Sequence, residues 1–240
     1  MVSAPTIVVL HGITMSGASM LRALGPLREG LEAAGFALVA PNGGHRLSAP
    51  ELTALSEWMA GRYREQGQAT SDFADGRFWD AGEHYDWFQS STEPSTRKKT
   101  YAALERSLDA VAAAMRERNV VGVLGFSQGA AMATVVGALA SSGDARFSGV
   151  RWGMFLSGFK PVFDAPNLFA YPAGPLPRLL AIGARDPIFP GNADYLTSVS
   201  RAFAGGAEQL IVVPDLGHAV PASPEMVNLC VRFALDASGG

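Results

Sequence analysis

"VVGVLGFSQGAAMATVVGALA", Val120 to Ala140, opens as an unbroken apolar run, turns between Gly125 and Gly129, and resumes as a small-residue helix pattern. The turn itself, Gly125-Phe126-Ser127-Gln128-Gly129, reads G-x-S-x-G. Between a strand and a helix, that spacing forms a strained elbow that lifts the serine hydroxyl clear of a sheet edge. An ordinary strand-to-helix turn is the competing reading, since a chain with 27 glycines offers such spacings readily. The flanking sequence has to decide between them.

Working outward, short apolar runs rich in β-branched residues recur at Thr6 to Leu10, Phe36 to Ala40, Val120 to Phe126, Arg151 to Ser157, Arg178 to Gly183 and Glu208 to Val213. They are continuous rather than alternating, which predicts buried strands of a parallel sheet covered on both faces. Helical periodicity fills the gaps. Ser95 to Arg118 carries Tyr101, Leu104, Leu108, Val111 and Met115 three or four apart, with Ser95 or Thr96 as its cap. Pro26 suits a first helical position and Gly35 a helix stop. The βαβα order predicts an α/β fold, a mostly parallel, doubly wound sheet of about six strands in one domain spanning 1–240.

Two stretches interrupt this order. Residues 43–94 are too long for a simple connection. They carry one helix, Glu51 to Arg64, followed by the aromatic "FADGRFWDAGEHYDWFQSST". Connections of that length are usually lids or binding loops, so a small lid insertion is expected here. The second stretch, "SGFKPVFDAPNLFAYPAGPLP", is proline-rich and reads as irregular. Both leave the sheet where strands end, which is where open parallel sheets place their ligand crevice.

Charge and composition exclude several classes. Nineteen basic and twenty-two acidic residues leave a formal charge of -3, and the longest basic run is Arg97-Lys98-Lys99. Nucleic acid is therefore not an expected partner. No apolar run approaches the roughly 20 residues needed to span a bilayer. The single cysteine, Cys230, cannot form an intrachain disulfide, and "MVSAPTIVVLHG" lacks the features of a signal peptide, so a cytoplasmic setting is expected. The histidines His11, His45, His84 and His218 are scattered and no phosphate-binding loop is present; neither a metal nor any other cofactor is implied.

A serine hydroxyl needs an adjacent base, and the base needs an acid to hold its tautomer. His218, in "VVPDLGHAVP", is the only histidine after Ser127 and directly follows the last expected strand. Asp186, in "LLAIGARDPIFP", also stands just past a strand, while Asp215 is a rival acid only three residues from His218. The order Ser127, Asp186, His218, each after its own strand, is that of an α/β-hydrolase catalytic triad. Each residue alone also has a plain reading, Asp186 as a turn cap and His218 as a loop histidine. Nucleophilic attack on a carbonyl further demands two backbone N–H donors for the oxyanion. Gln128 supplies one by position; the loop "LHGITMSG" supplies the other, from Ile13 or, as second choice, Met15. His11 reads as a structural residue of that loop.

Together "VVLHGITMSG", "GFSQGAAMA", "FLSGFKP", "GARDPIFP" and "LGHAVP" resemble the Family of Serine Hydrolases group (FSH) of the α/β-hydrolases over nearly the whole chain. The aromatic "YDWF" and "YAALERSL" also sit where that group has a tryptophan-rich stretch and a helix opening with tyrosine. The resemblance implies an esterase-like triad of Ser127, Asp186 and His218, with Ile13 and Gln128 as oxyanion donors. Some members act as thioesterases. The expected partner is thus a small-molecule acyl ester, or alternatively a thioester of coenzyme A or a carrier protein. A non-catalytic binding protein on the same fold is the remaining alternative. Trp79, Tyr85, Trp87 and Phe88, with Phe78, fall close together in the expected lid and are expected to line a pocket for short-to-medium acyl chains. The competing reading is a satellite cluster that tucks a long loop onto the core.

Overall fold

The computed structural model describes residues 3–69, 83–92, 99–159, 174–190 and 193–239. In chain order the strands are β1 (Pro5–Leu10), β2 (Ala37–Val39), β3 (His45–Arg46), β4 (Tyr85–Asp86), β5 (Gln89–Thr92), β6 (Lys99–Ala102), β7 (Asn119–Phe126), β8 (Trp152–Leu156), β9 (Arg178–Gly183) and β10 (Glu208–Val213). The helices are α1 (Gly17–Ala23), α2 (Pro26–Ala33), α3 (Ala49–Glu65), α4 (Leu104–Met115), α5 (Gln128–Ser141), α6 (Ala193–Ala202) and α7 (Pro224–Ser238).

Six strands form one parallel sheet in the order β10-β9-β8-β7-β1-β2. Successive residues of β1 explain why its sequence is apolar throughout. Val8 and Leu10 enter one core cluster with α4 and α5, whereas Ile7 and Val9 enter the other with α1, α2 and α7. Both faces of the strand are buried, so neither can be polar. The chain winds from β1 to β2 on one side and returns to β7 on the other. The β1/β7 boundary is therefore the topological switch point, and the crevice beyond its strand ends is the natural ligand site.

Two expectations are corrected. Residues 99–102 are not the first turn of a helix but a strand, antiparallel to β5, and α4 begins only at Leu104 after Ala103 adopts φ 67°. Tyr101 fits the helical spacing because it packs on the same cluster as Leu104 and Leu108, yet it reaches that cluster from the ribbon. The expected caps Ser95 and Thr96 lie outside the described residues. Second, β10 is an edge strand, with Leu210 47% and Val212 51% exposed, and not a fully buried one. Among the described residues no helix is long and apolar enough to cross a membrane.

Candidate active site

Ser127 stands at the junction of β7 and α5 with φ 55° and ψ −121°, a conformation an L-residue adopts only under constraint. The flanking glycines supply the constraint. A Cβ on Gly125 would lie 2.1 Å from the Gly129 carbonyl oxygen, and one on Gly129 would lie 2.2 Å from the Leu10 carbonyl oxygen and 2.4 Å from that of His11. Only glycine lets α5 start so close to β7 and to the end of β1. The Ser127 amide donates to the Leu156 carbonyl on β8 at 3.0 Å, which ties the elbow to the next strand.

Three elements converge on the Ser127 hydroxyl. It donates to His218 Nε2 at 2.9 Å, while His218 Nδ1 donates to Asp186 Oδ2 at 2.8 Å. All three residues are buried. The other Asp186 oxygen accepts the amides of Ile188 at 2.9 Å and Phe189 at 3.0 Å, so the turn after β9 fixes the carboxylate from behind. The imidazole sits between the Phe126 and Phe189 rings, whose centroids lie 5.1 and 5.4 Å away. Asp215 takes no part in this chain. It is exposed and pairs with Arg185 at 3.1 Å.

The backbone amides of the loop after β1 are unequally engaged. The Thr14 amide donates to the Tyr85 carbonyl and the Met15 amide to the Gly12 carbonyl. The amides of Ile13 and Gln128 have no acceptor among the described residues. Buried amides are almost always paired, so two free ones at this crevice are available to a ligand oxygen. His11 shapes the loop as expected: Nδ1 donates to the Gly12 carbonyl at 2.7 Å and Nε2 accepts the Gly43 amide at 3.0 Å. Burial pushes its pKa down to about 4, against the opposing pull of the Gly12 hydrogen bond, which keeps the ring neutral for that pair of roles.

A cavity of about 650 Å³ opens over Ser127, His218, Ile13 and Gln128. More than half of its described lining comes from the insertion, chiefly Leu55, Trp58 and Met59 of α3 and Phe88 after β4; Tyr101, Phe159 and Phe189 complete the apolar wall. Of the expected pocket aromatics among the described residues, Tyr85, Trp87 and Phe88, only Phe88 lines the cavity. Trp79 lies outside the described residues. Tyr85 is drawn into backbone pairing with Thr14 and Met15. Trp87 is wholly buried behind the wall, its indole N–H donating to the His11 carbonyl at 2.7 Å and its ring 4.6 Å from the His11 ring. For Trp87 the satellite-cluster reading holds, because an indole N–H buried in the fold requires a fixed acceptor.

The lining residues of α3 escape sequence reasoning. That helix buries only Met59 and Tyr63 in the core and leaves Trp58 49% exposed. A helix this long with so small a buried face was the available signal that it borders a cavity.

A parallel α/β sheet of this order with Ser127, His218 and Asp186 in contact at its strand ends is the architecture of an α/β-hydrolase. The chain belongs to the serine hydrolase (FSH1) family, which matches residues 1–229, and it is accordingly a hydrolase. It is similar to Esterase OVCA2 of Homo sapiens, 30% identical over 159 residues that cover 65% of this chain and 66% of that protein. Esterase OVCA2 of Danio rerio is 27% identical over 224 residues, 90% of each chain. Among solved structures, esterase PE8 superposes with a TM-score of 0.60 at 17% identity, covering 98% of this chain and 94% of that one. Acyl-protein thioesterase 2 of Zea mays gives 0.58 at 20% identity over 100% and 96%. At these identities the two structures speak to the fold alone.

Proposed function

We propose that the protein hydrolyses carboxylic esters of short-to-medium acyl chains through an acyl-enzyme, with Ser127 as nucleophile. The observation that carries this reading is the continuous hydrogen-bond chain from Ser127 through His218 to Asp186 beneath a mostly apolar cavity. His218 Nε2 takes the serine proton as Oγ attacks the substrate carbonyl carbon; Asp186 holds the tautomer and stabilises the imidazolium. The oxyanion receives the Ile13 and Gln128 amides, a type of stabilisation worth about 3 kcal/mol per donor in known cases. His218 returns the proton to the leaving alcohol. Water then attacks the acyl-enzyme by the reverse sequence and frees Ser127.

The insertion supplies the acyl wall, with Phe88 the aromatic from its loop that serves this role. Each methylene buried there contributes up to about 0.8 kcal/mol, so kcat/KM rises a few-fold per carbon until the cavity is filled. A panel of acyl esters of graded length, with matching coenzyme A thioesters, tests the reading. A rising then levelling profile on esters supports it. A flat profile refutes the apolar acyl site, and a strong preference for the thioesters makes the protein a thioesterase with the same residues.

A further inference from the structure

The cavity contains one feature that ester cleavage does not require. Asp86, at the end of β4, is 2% exposed, lines the cavity together with Ser127, His218 and Gln128, and has a fully buried Oδ1 with no hydrogen-bond partner. No lysine or arginine is among the described lining residues. Its titratable neighbours are His45, paired with it across the β3–β4 ribbon, and Glu51 on α3. Glu51 is already engaged: Ser48 donates to it from amide and hydroxyl, Gln89 Nε2 donates at 2.8 Å, and His45 lies 3.2 Å away. Those bonds, the Ser48 hydroxyl foremost, hold its pKa down to about 2, so Glu51 is a fixed negative charge.

Leaving a carboxyl oxygen buried and unpaired costs free energy, and Asp86 is placed to make the cost large. Burial pushes its pKa up to about 6, with His45 pulling down and Glu51 pushing up. Nothing in the fold repays this. The backbone of the same segment is closely packed and anchored: the Asp86 carbonyl would lie only 2.1 Å from a Cβ on Gly43, and the next amide, of Trp87, donates to Gln128. The side chain is thus part of the wall of the cavity that Ser127 also lines.

Building on the hydrolase reading above, we propose that Asp86 is a specificity-determining residue that accepts a hydrogen bond from a hydroxyl group on the ester substrate, so that the natural substrates are hydroxylated esters. A neutral hydroxyl needs only the one acceptor that Asp86 offers, whereas an ammonium brings three N–H donors to a wall whose Phe88, Phe159 and Phe189 carry no acceptor. A carboxylate is excluded by Asp86 and Glu51 together. Sites built to bind a substrate hydroxyl reject analogues lacking it more strongly than apolar pockets reject a missing methylene.

The test is kcat/KM at about pH 8, where Asp86 is ionised, on a matched ester set. The set holds ethyl hexanoate, its 3-hydroxy and 6-hydroxy analogues, 2-hydroxyethyl hexanoate, the 6-ammonio analogue and the monoethyl ester of adipic acid. At least one hydroxylated member should exceed ethyl hexanoate by about tenfold to a hundredfold, as a hydrogen bond to a charged acceptor allows, and the adipate monoester should be the poorest. In Asp86→Leu the hydroxyl-to-parent ratio should collapse towards one, and in Asp86→Asn it should fall part of the way. Hydrolysis of ethyl hexanoate with no hydroxyl preference in the wild-type enzyme, preference for the ammonium ester, or a ratio unchanged in both variants would overturn the assignment while leaving the esterase standing. Failure to hydrolyse any ester overturns both.

Discussion

The side-chain amide of Gln128 grips the backbone of Trp87: Oε1 accepts the Trp87 amide at 2.9 Å, and Nε2 donates to the neighbouring Phe88 carbonyl at 2.9 Å. The residue after the elbow serine therefore fixes the backbone that presents Phe88 to the cavity. Gln128→Ala leaves two buried backbone groups unpaired, at about 1 to 3 kcal/mol each. Urea unfolding should show that loss. Esterase activity should fall with it through displacement of Phe88, even though the Gln128 backbone amide is retained. Gln128→Glu keeps the acceptor but sets a buried carboxylate oxygen against the Phe88 carbonyl, so its loss of stability should be at least as large.

The elbow glycines and a surface glycine should respond with opposite signs. Alanine at Gly125 or Gly129 drives Cβ into backbone carbonyls, and overpacking against backbone costs about 3 kcal/mol or more. Gly61 lies within α3 with nothing within 4 Å of an added Cβ. Gly61→Ala should stabilise by up to about 1 kcal/mol. Thermal unfolding of the three variants checks the contrast; a well-folded Gly129→Ala with unchanged melting would contradict the elbow account.

Trp87 and Trp58 separate folding from substrate handling. Trp87 is wholly buried and hydrogen-bonded through its indole to His11, so Trp87→Ala should cost about 3 to 5 kcal/mol. Trp58 is 49% exposed and borders the cavity. Trp58→Ala should leave melting nearly unchanged but flatten the rise of kcat/KM with acyl length. If Trp58→Ala unfolded the protein and Trp87→Ala merely altered chain-length preference, the roles would be reversed.

What could be read before the structure follows from which residues work locally. The parallel strands were legible because a strand buried on both faces must be apolar along its length, as Ile7 to Leu10 are. Ser127, Asp186 and His218 were legible as candidates because each directly follows a strand and their order along the chain is diagnostic; the structure brings the three into one contact chain. The pocket wall was not. Trp87 and Phe88 are adjacent in the bend between β4 and β5, and no periodicity there says which one faces the cavity; Gln128 holds the backbone of both. Tyr101 misled for a related reason: helical spacing and a cross-strand contact both bring it to Leu104 and Leu108. Asp86 gives no sequence signal at all, since a carboxyl two residues before Phe88 reads as surface until its burial is known.

His11 and Asp86 make an opposed pair in acid. His11 is pushed to about 4 by burial, below the ordinary 6.5 or so, so the unfolded chain binds the extra proton and stability is lost as pH falls from about 6.5 to 4. Asp86 is pushed up to about 6 by burial. The folded protein then binds the extra proton, and stability is lost as pH rises from about 4 to 6. Each shift corresponds to about 3 kcal/mol, so the two largely offset between about pH 4 and 6. Asp86→Asn removes one side. Its stability relative to wild type should decline by about 3 kcal/mol between about pH 8 and pH 4, read as the difference in urea midpoints. A difference independent of pH would show that Asp86 is not held neutral by the fold.

The most direct measurement is intact-protein mass spectrometry after exposure to an organophosphonate ester probe, with peptide mapping of the adduct. A single adduct on Ser127 is expected, with loss of esterase activity in step with labelling, and neither adduct nor hydrolysis in a folded Ser127→Ala variant. His218→Ala should label slowly, because its serine lacks the base 2.9 Å away. Equal labelling of Ser127→Ala, or an adduct on any other residue that abolishes activity, would contradict the assignment of Ser127 as the nucleophile.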